Sequence, residues 1–119
     1  MRNDKDNLIV ELTFQFSLRI NEYCDLLQSR KKYVISNQLL NSGTSIGANV
    51  CEAQNAESND DFIHKMKIAA KEADETEYWQ LFCKYSASFT DPGDLLNQIQ
   101  SIINVLSKII SSSKANQPK

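Results

Sequence analysis

Apolar residues recur at three- and four-residue intervals along most of the chain, the spacing of helices and not the alternation of strands. From about Asp4 to Ser29, Leu8, Leu12, Phe16, Ile20, Tyr23 and Leu27 gather on one face. Val10, Phe14 and Leu18, at i, i+4 and i+8, fall nearly opposite, so one core cannot bury both stripes. A second helix is expected from near Ser36, whose hydroxyl suits a helix N-terminus, with Leu39, Ile46 and Val50 turned inward. Beside them Gly43, Gly47 and Cys51 form a ridge of small residues. Each glycine costs about 1 kcal/mol of helix propensity, so the pair calls for a packing reason such as close approach of another backbone.

A third helix opens with Ser58-Asn59-Asp60-Asp61, a capping sequence with carboxylates near the positive end of the helix dipole. Phe62, Met66, Ala69, Ala73 and Thr76 line its core face. Ile68, Trp79 and Phe82 mark a second apolar face, interrupted by Glu72 and Glu75. A fourth helix is expected after Asp91-Pro92, with Asp as cap and Pro in the first turn, running to about Ile110 on Leu95, Leu96, Ile99, Ile102, Ile103, Leu106 and Ile110. Breaks near residues 30–35, 55–58 and 86–92 leave only short connections, which favours antiparallel neighbours. The expectation is an all-α protein, an antiparallel up-down-up-down four-helix bundle over residues 1–111, followed by a disordered tail over 112–119.

Composition narrows the function classes. The chain has 119 residues, enough for one core without disulfide or metal staples. With 13 Lys and Arg against 15 Asp and Glu, no global attraction to phosphate is built in. Cys24, Cys51 and Cys83 are odd in number and widely spaced, as reduced thiols of a cytoplasmic protein would be, and no apolar run is long enough to span a bilayer. His64 is the only histidine, so neither a di-metal carboxylate site nor a Cys and His zinc site has its ligands. Asp61 shares its helix face and suits a capping role. The three glycines spell no phosphate loop, and no nucleophile has a recognisable base and orienting partner. No enzyme activity, cofactor, membrane contact or small-molecule substrate is expected.

Three groups of polar residues stand out. Arg19 falls within the first helix's apolar stripe. Either a carboxylate meets it there, Glu77 first and Glu52 as the alternative, or it lays its stem on the core and reaches solvent. Asn41, Ser45, Ala48, Asn49 and Glu52 make a small or polar face on the second helix, either solvated or the lining of a groove. Arg30, Lys31 and Lys32 suit the negative end of the first helix, and repeated around a ring they would also attract phosphate.

The run Ser36 to Trp79 resembles proteins encoded in intervening sequences of bacterial 23S ribosomal RNA genes. The likeness is carried by Gln38-Leu39-Leu40, Thr44-Ser45-Ile46-Gly47-Ala48-Asn49, Glu52, Phe62, the Ala69 region and Glu75-Thr76-Glu77-Tyr78-Trp79. With Arg19 upstream and an apolar fourth helix, it covers nearly the whole domain. The chain departs from that pattern at Asn41, often basic in the family, and at Ala53, often glycine. The resemblance implies a four-helix bundle assembled as a ring-like homopentamer. It implies a more distant likeness to accessory proteins of diversity-generating retroelements, which bind reverse transcriptase and nucleic acid. The leading expectation is therefore a non-enzymatic oligomeric scaffold whose contacts are Val10, Phe14 and Leu18 with Ile68, Trp79 and Phe82. Its competitor is an accessory protein for RNA or a reverse transcriptase, using a ring of Arg30, Lys31 and Lys32.

Overall fold

The computed structural model describes residues 4–116, and within them the chain forms four helices and no strand. These are α1 (Asp4–Ser29), α2 (Tyr33–Ala53), α3 (Asn59–Tyr85) and α4 (Leu95–Ala115). Each packs on its chain neighbours, and α1 closes the ring against α4, giving a body 51 Å long and about 20 Å across. One core runs its length, through Ile9, Phe16, Ile20, Leu27, Leu39, Ile46, Val50, Met66, Ile99, Ile102 and Leu106.

The core line of α1 sits one residue from the expected one at its start. Ile9, Thr13, Phe16, Ile20, Tyr23 and Leu27 are buried, a regular alternation of four- and three-residue steps, whereas Leu8 is 70% exposed and Leu12 half-buried. Thr13 enters an apolar line because its hydroxyl donates to the Ile9 carbonyl at 2.8 Å, which leaves its own polar hydrogen satisfied. The same device recurs on α3. There Ile63 is buried where Phe62 is only partly so, and Thr76 bonds both the Glu72 carbonyl at 2.7 Å and Ser42 of α2 at 2.9 Å. Gln80, fully buried one turn further on, has no protein partner for either amide atom.

The α1–α2 turn explains why α2 starts earlier than expected. Lys31 takes φ 63°, Lys32 N–H donates to Leu27 and Lys31 N–H to Gln28, so α1 ends in a Schellman closure and α2 begins at Tyr33. Ser36 is thus inside the first turn and caps nothing. It is fully buried, donating its hydroxyl to the Cys24 carbonyl at 3.1 Å while the Cys24 thiol returns a bond to the Ser36 carbonyl at 3.5 Å.

Before α4, Asp91 accepts from the Gly93 N–H at 2.7 Å, forming a turn instead of a helix cap, and the helix starts three residues beyond Pro92. At its other end α4 runs to Ala115, so residues 112–115 are helical and not tail. Asn59 donates to the Ser113 carbonyl at 3.1 Å, fastening that last turn to the start of α3. Residues 117–119 of the expected tail and 1–3 of the expected domain lie outside the described residues.

The two glycines of α2 face α1 differently. A Cβ on Gly43 would lie 2.8 Å from Cγ2 of Ile20, a stiff, fully buried side chain. A Cβ on Gly47 would meet the Thr13 carbonyl and hydroxyl at 3.4 Å, an ordinary contact. Moving down α2 from Ser36 to Gly43 to Gly47 therefore moves back up α1 from Cys24 to Ile20 to Thr13. Gly43→Ala should lower stability by about 1 kcal/mol, overpacking outweighing the propensity gain. Gly47→Ala should raise it by about 0.5 to 1 kcal/mol. Urea unfolding of the two variants checks the opposite signs.

Candidate functional site

Beside Gly47, the outer edge of α1 and α2 forms a largely apolar trough of about 370 Å³. Val10, Glu11 and Phe14 line it from α1, and Gly47, Ala48 and Cys51 from α2. Ser17 and Thr44 line it as well, but their hydroxyls donate to Thr13 (3.0 Å) and Leu40 (2.7 Å) on their own helices, so they add no free donor. Phe14 remains 54% exposed and Leu18, one turn on, 46%. The second stripe of α1 is thus only partly covered within the chain: Val10 packs against the core edge, while Phe14 and Leu18 face outward.

The corresponding face of α3 is aromatic. Ile68 and Trp79 are half-buried, and Phe82 is exposed. Tyr78, Leu81 and Tyr85, also exposed, widen the face beyond the residues the periodicity singled out. A cascade of edge-to-face contacts runs from Tyr78 to Trp79 (5.1 Å between centroids), Phe82 (6.2 Å) and Phe89 (5.5 Å), and the Trp79 indole donates to Glu75 at 3.2 Å. This geometry holds the rings in fixed orientations. Because α1 and α3 each pack on α2 and α4, they occupy opposite corners of the bundle, and the two stripes lie on helices that do not touch.

A family model of the 23S rRNA-intervening sequence proteins matches residues 5–112, all four helices apart from their outermost ends. The chain belongs to the 23S rRNA-intervening sequence protein family. It is similar to the crystal structure of a protein of unknown function from the S23 ribosomal protein family of Bacteroides thetaiotaomicron. The two are 42% identical with a TM-score of 0.83, over 90% of this chain and 98% of that one. No curated protein matches the chain.

In this 23S rRNA-intervening sequence protein, Arg19 pairs neither with Glu77 nor with Glu52. Its guanidinium lies 3.7 Å from Asp94, in the turn before α4, and both side chains are well exposed, so the pair contributes little. Counting helix faces missed Asp94 because it belongs to a turn. Glu77 is half-buried on α3. Glu52 is exposed at the far end of α2, beside Asn55, Glu57, Asp61 and Lys65 around a polar depression of about 480 Å³. Asn41, Ser45 and Asn49 do not join Glu52 in a groove: Ser45 and Asn49 bond back to α2 carbonyls at 2.7 and 2.8 Å, and Asn41 is exposed.

The basic run divides. Lys32 is half-buried with its ammonium 4.8 Å from the Phe89 ring centroid, a cation–π contact, whereas Arg30 and Lys31 are exposed. Among the described residues no three His, Cys, Asp or Glu side chains are grouped to hold a metal ion, and no helix is long and apolar enough to cross a membrane.

The thiols differ sharply. Cys51 is exposed at the trough, while Cys24 and Cys83 are buried. Burial pushes the Cys24 thiol from its ordinary 9.0 up to about 11, against the lowering effect of the Ser36 bond. Burial likewise raises Cys83, and it raises Tyr23, whose hydroxyl donates to the Thr90 carbonyl. All three hold their protons more tightly when folded. The stability they carry is therefore complete below pH 9 and lost as pH rises through the folded values. The urea midpoint should fall between pH 9 and pH 11, and less steeply in Cys24→Ala; equal slopes for the two proteins would contradict this origin.

Proposed function

We propose that this protein is a non-enzymatic assembly scaffold, an up-down-up-down bundle that joins copies of itself into a closed ring in the cytoplasm. The observation that carries this reading is the pair of unlike apolar stripes at opposite corners: Phe14 and Leu18 over the α1–α2 trough, and Phe82 with its exposed aromatic neighbours on α3. Contiguous exposed apolar surface of this kind marks interaction sites. Two different patches on helices that do not touch suit head-to-tail contacts, which generate rings when the rotation closes. A homopentamer is the closed form the family resemblance implies, and the free thiols accord with a reducing compartment.

A second reading, an accessory role toward RNA or a reverse transcriptase, draws on the exposed Arg30 and Lys31 at one end of the bundle. Ring symmetry would multiply those charges. Lys32, engaged with Phe89, adds less.

Phe14→Glu tests the scaffold reading. Phe14 is exposed within the single chain, so glutamate there leaves the helix and core intact but removes the ring and adds a second carboxylate beside Glu11 at the trough in any assembly. Light scattering should report a folded species of smaller mass. Leu8→Glu, an exposed position outside the trough lining, should leave the mass unchanged. An assembly unaltered by Phe14→Glu would reject this interface.

A further inference from the structure

The start of α3 and the end of α4 enclose a depression of about 350 Å³ whose lining is dominated by nitrogen-bearing side chains. His64 and Lys67 come from α3 and Lys114 from α4; Ile63 forms the apolar base, and Asp60 is the one carboxylate lining it. The geometry points to a phosphate-binding site here, and we infer that its ligand is the phosphodiester backbone of a nucleic-acid strand.

Three observations converge on this. First, Lys67 and Lys114 come from different helices yet line the same depression. The like charge of Lys67 lowers the pKa of Lys114, an arrangement that an anion between them would relieve. Second, α4 carries no Asp or Glu over Leu95–Ala115, although the chain has 15 of them. Its exposed positions from Asn97 to Ser112 are all amides and hydroxyls apart from Lys108, the residue types that contact phosphates without reading sequence. Third, the carboxylate-free helix is about 30 Å long, so it offers a track and not a single pocket. A lone phosphate would use only the depression at its end; a polymer uses both. The site is separate from Arg30 and Lys31, which lie at the opposite end of α3 and α4, and it does not depend on the assembly reading.

Lys67→Gln with Lys114→Gln is the test, since both side chains are exposed and circular dichroism can confirm the fold. Binding of a fluorescein-labelled short single-stranded RNA is followed by anisotropy across a salt series. The double variant should bind about tenfold more weakly at low salt, and its slope of log affinity on log salt should flatten by about 0.7 for each phosphate no longer neutralised. Adding the same two substitutions to an Arg30→Gln, Lys31→Gln background should weaken binding by the same factor. In a second arm, inorganic phosphate is titrated into protein with labelled lysines. Shifts confined to Lys67 and Lys114, with RNA affinity equal in wild type and variant, would support the site and assign it to free phosphate. Unchanged RNA affinity with no phosphate-induced shift would overturn the proposal. So would displacement of the RNA by polyglutamate at equal charge, which would assign the depression to an acidic protein segment.

Discussion

The close approach of α1 and α2 governs much else in this molecule. Without a side chain at Gly43, the fully buried Ile20 seats directly on the α2 backbone, and at Gly47 the backbone of α1 at Thr13 comes within contact distance. That approach selects which line of α1 faces inward. With Thr13 and Ile20 fixed against the glycines, Ile9, Phe16 and Leu27 follow into the core by helical repeat, and Phe14 and Leu18 are turned out. The trough is lined from α2 by the small residues Gly47, Ala48 and Cys51, which leave the space beside Phe14 unfilled. The propensity given up at Gly43 is offset by the burial of Ile20 that close packing permits.

Polar groups in the core follow one rule. Thr13, Ser36, Ser42 and Thr76 each place a hydroxyl on a backbone carbonyl or on one another, so the buried lines of α1, α2 and α3 tolerate them without orphaned donors. Gln80 departs from it, with neither amide atom bonded to protein. The contrast with the outer faces is instructive. The core is satisfied within one chain almost throughout, while the exposed apolar residues on α1 and α3 are not covered within it. In a small bundle that imbalance favours association, since each fully buried aromatic or leucine side chain contributes about 1.5 to 3 kcal/mol.

Much of this was legible in the sequence because helical periodicity is a strong signal over segments of 21 to 27 residues. The N-terminus of α3 was readable to the residue: Ser58 caps Asp61 at 3.1 Å. At the start of α1 the core line runs through Ile9 and not Leu8, because both are apolar and the choice between them is set by how α1 meets its neighbours. Ser36 read as a cap for the sound reason that serine favours that position, but Lys31 in a left-handed conformation closed the turn earlier, a role that lysine does not advertise. Neither carboxylate expected for Arg19 meets it: its head reaches the surface, the other arrangement its position allowed, and faces Asp94 in a turn. At the candidate interface, Val10, Phe14 and Leu18 were visible as a surplus stripe. The trough beneath them and the exposed Tyr78, Leu81 and Tyr85 depend on how helices meet, which periodicity within one helix does not contain.

The central claim, that other copies of the chain cover these stripes, is tested most directly by the solution mass of the wild-type protein. Light scattering over a range of concentrations at moderate salt should give one stable species at five times the 13.5 kDa chain mass. A mass equal to that of the single chain at every concentration would contradict it.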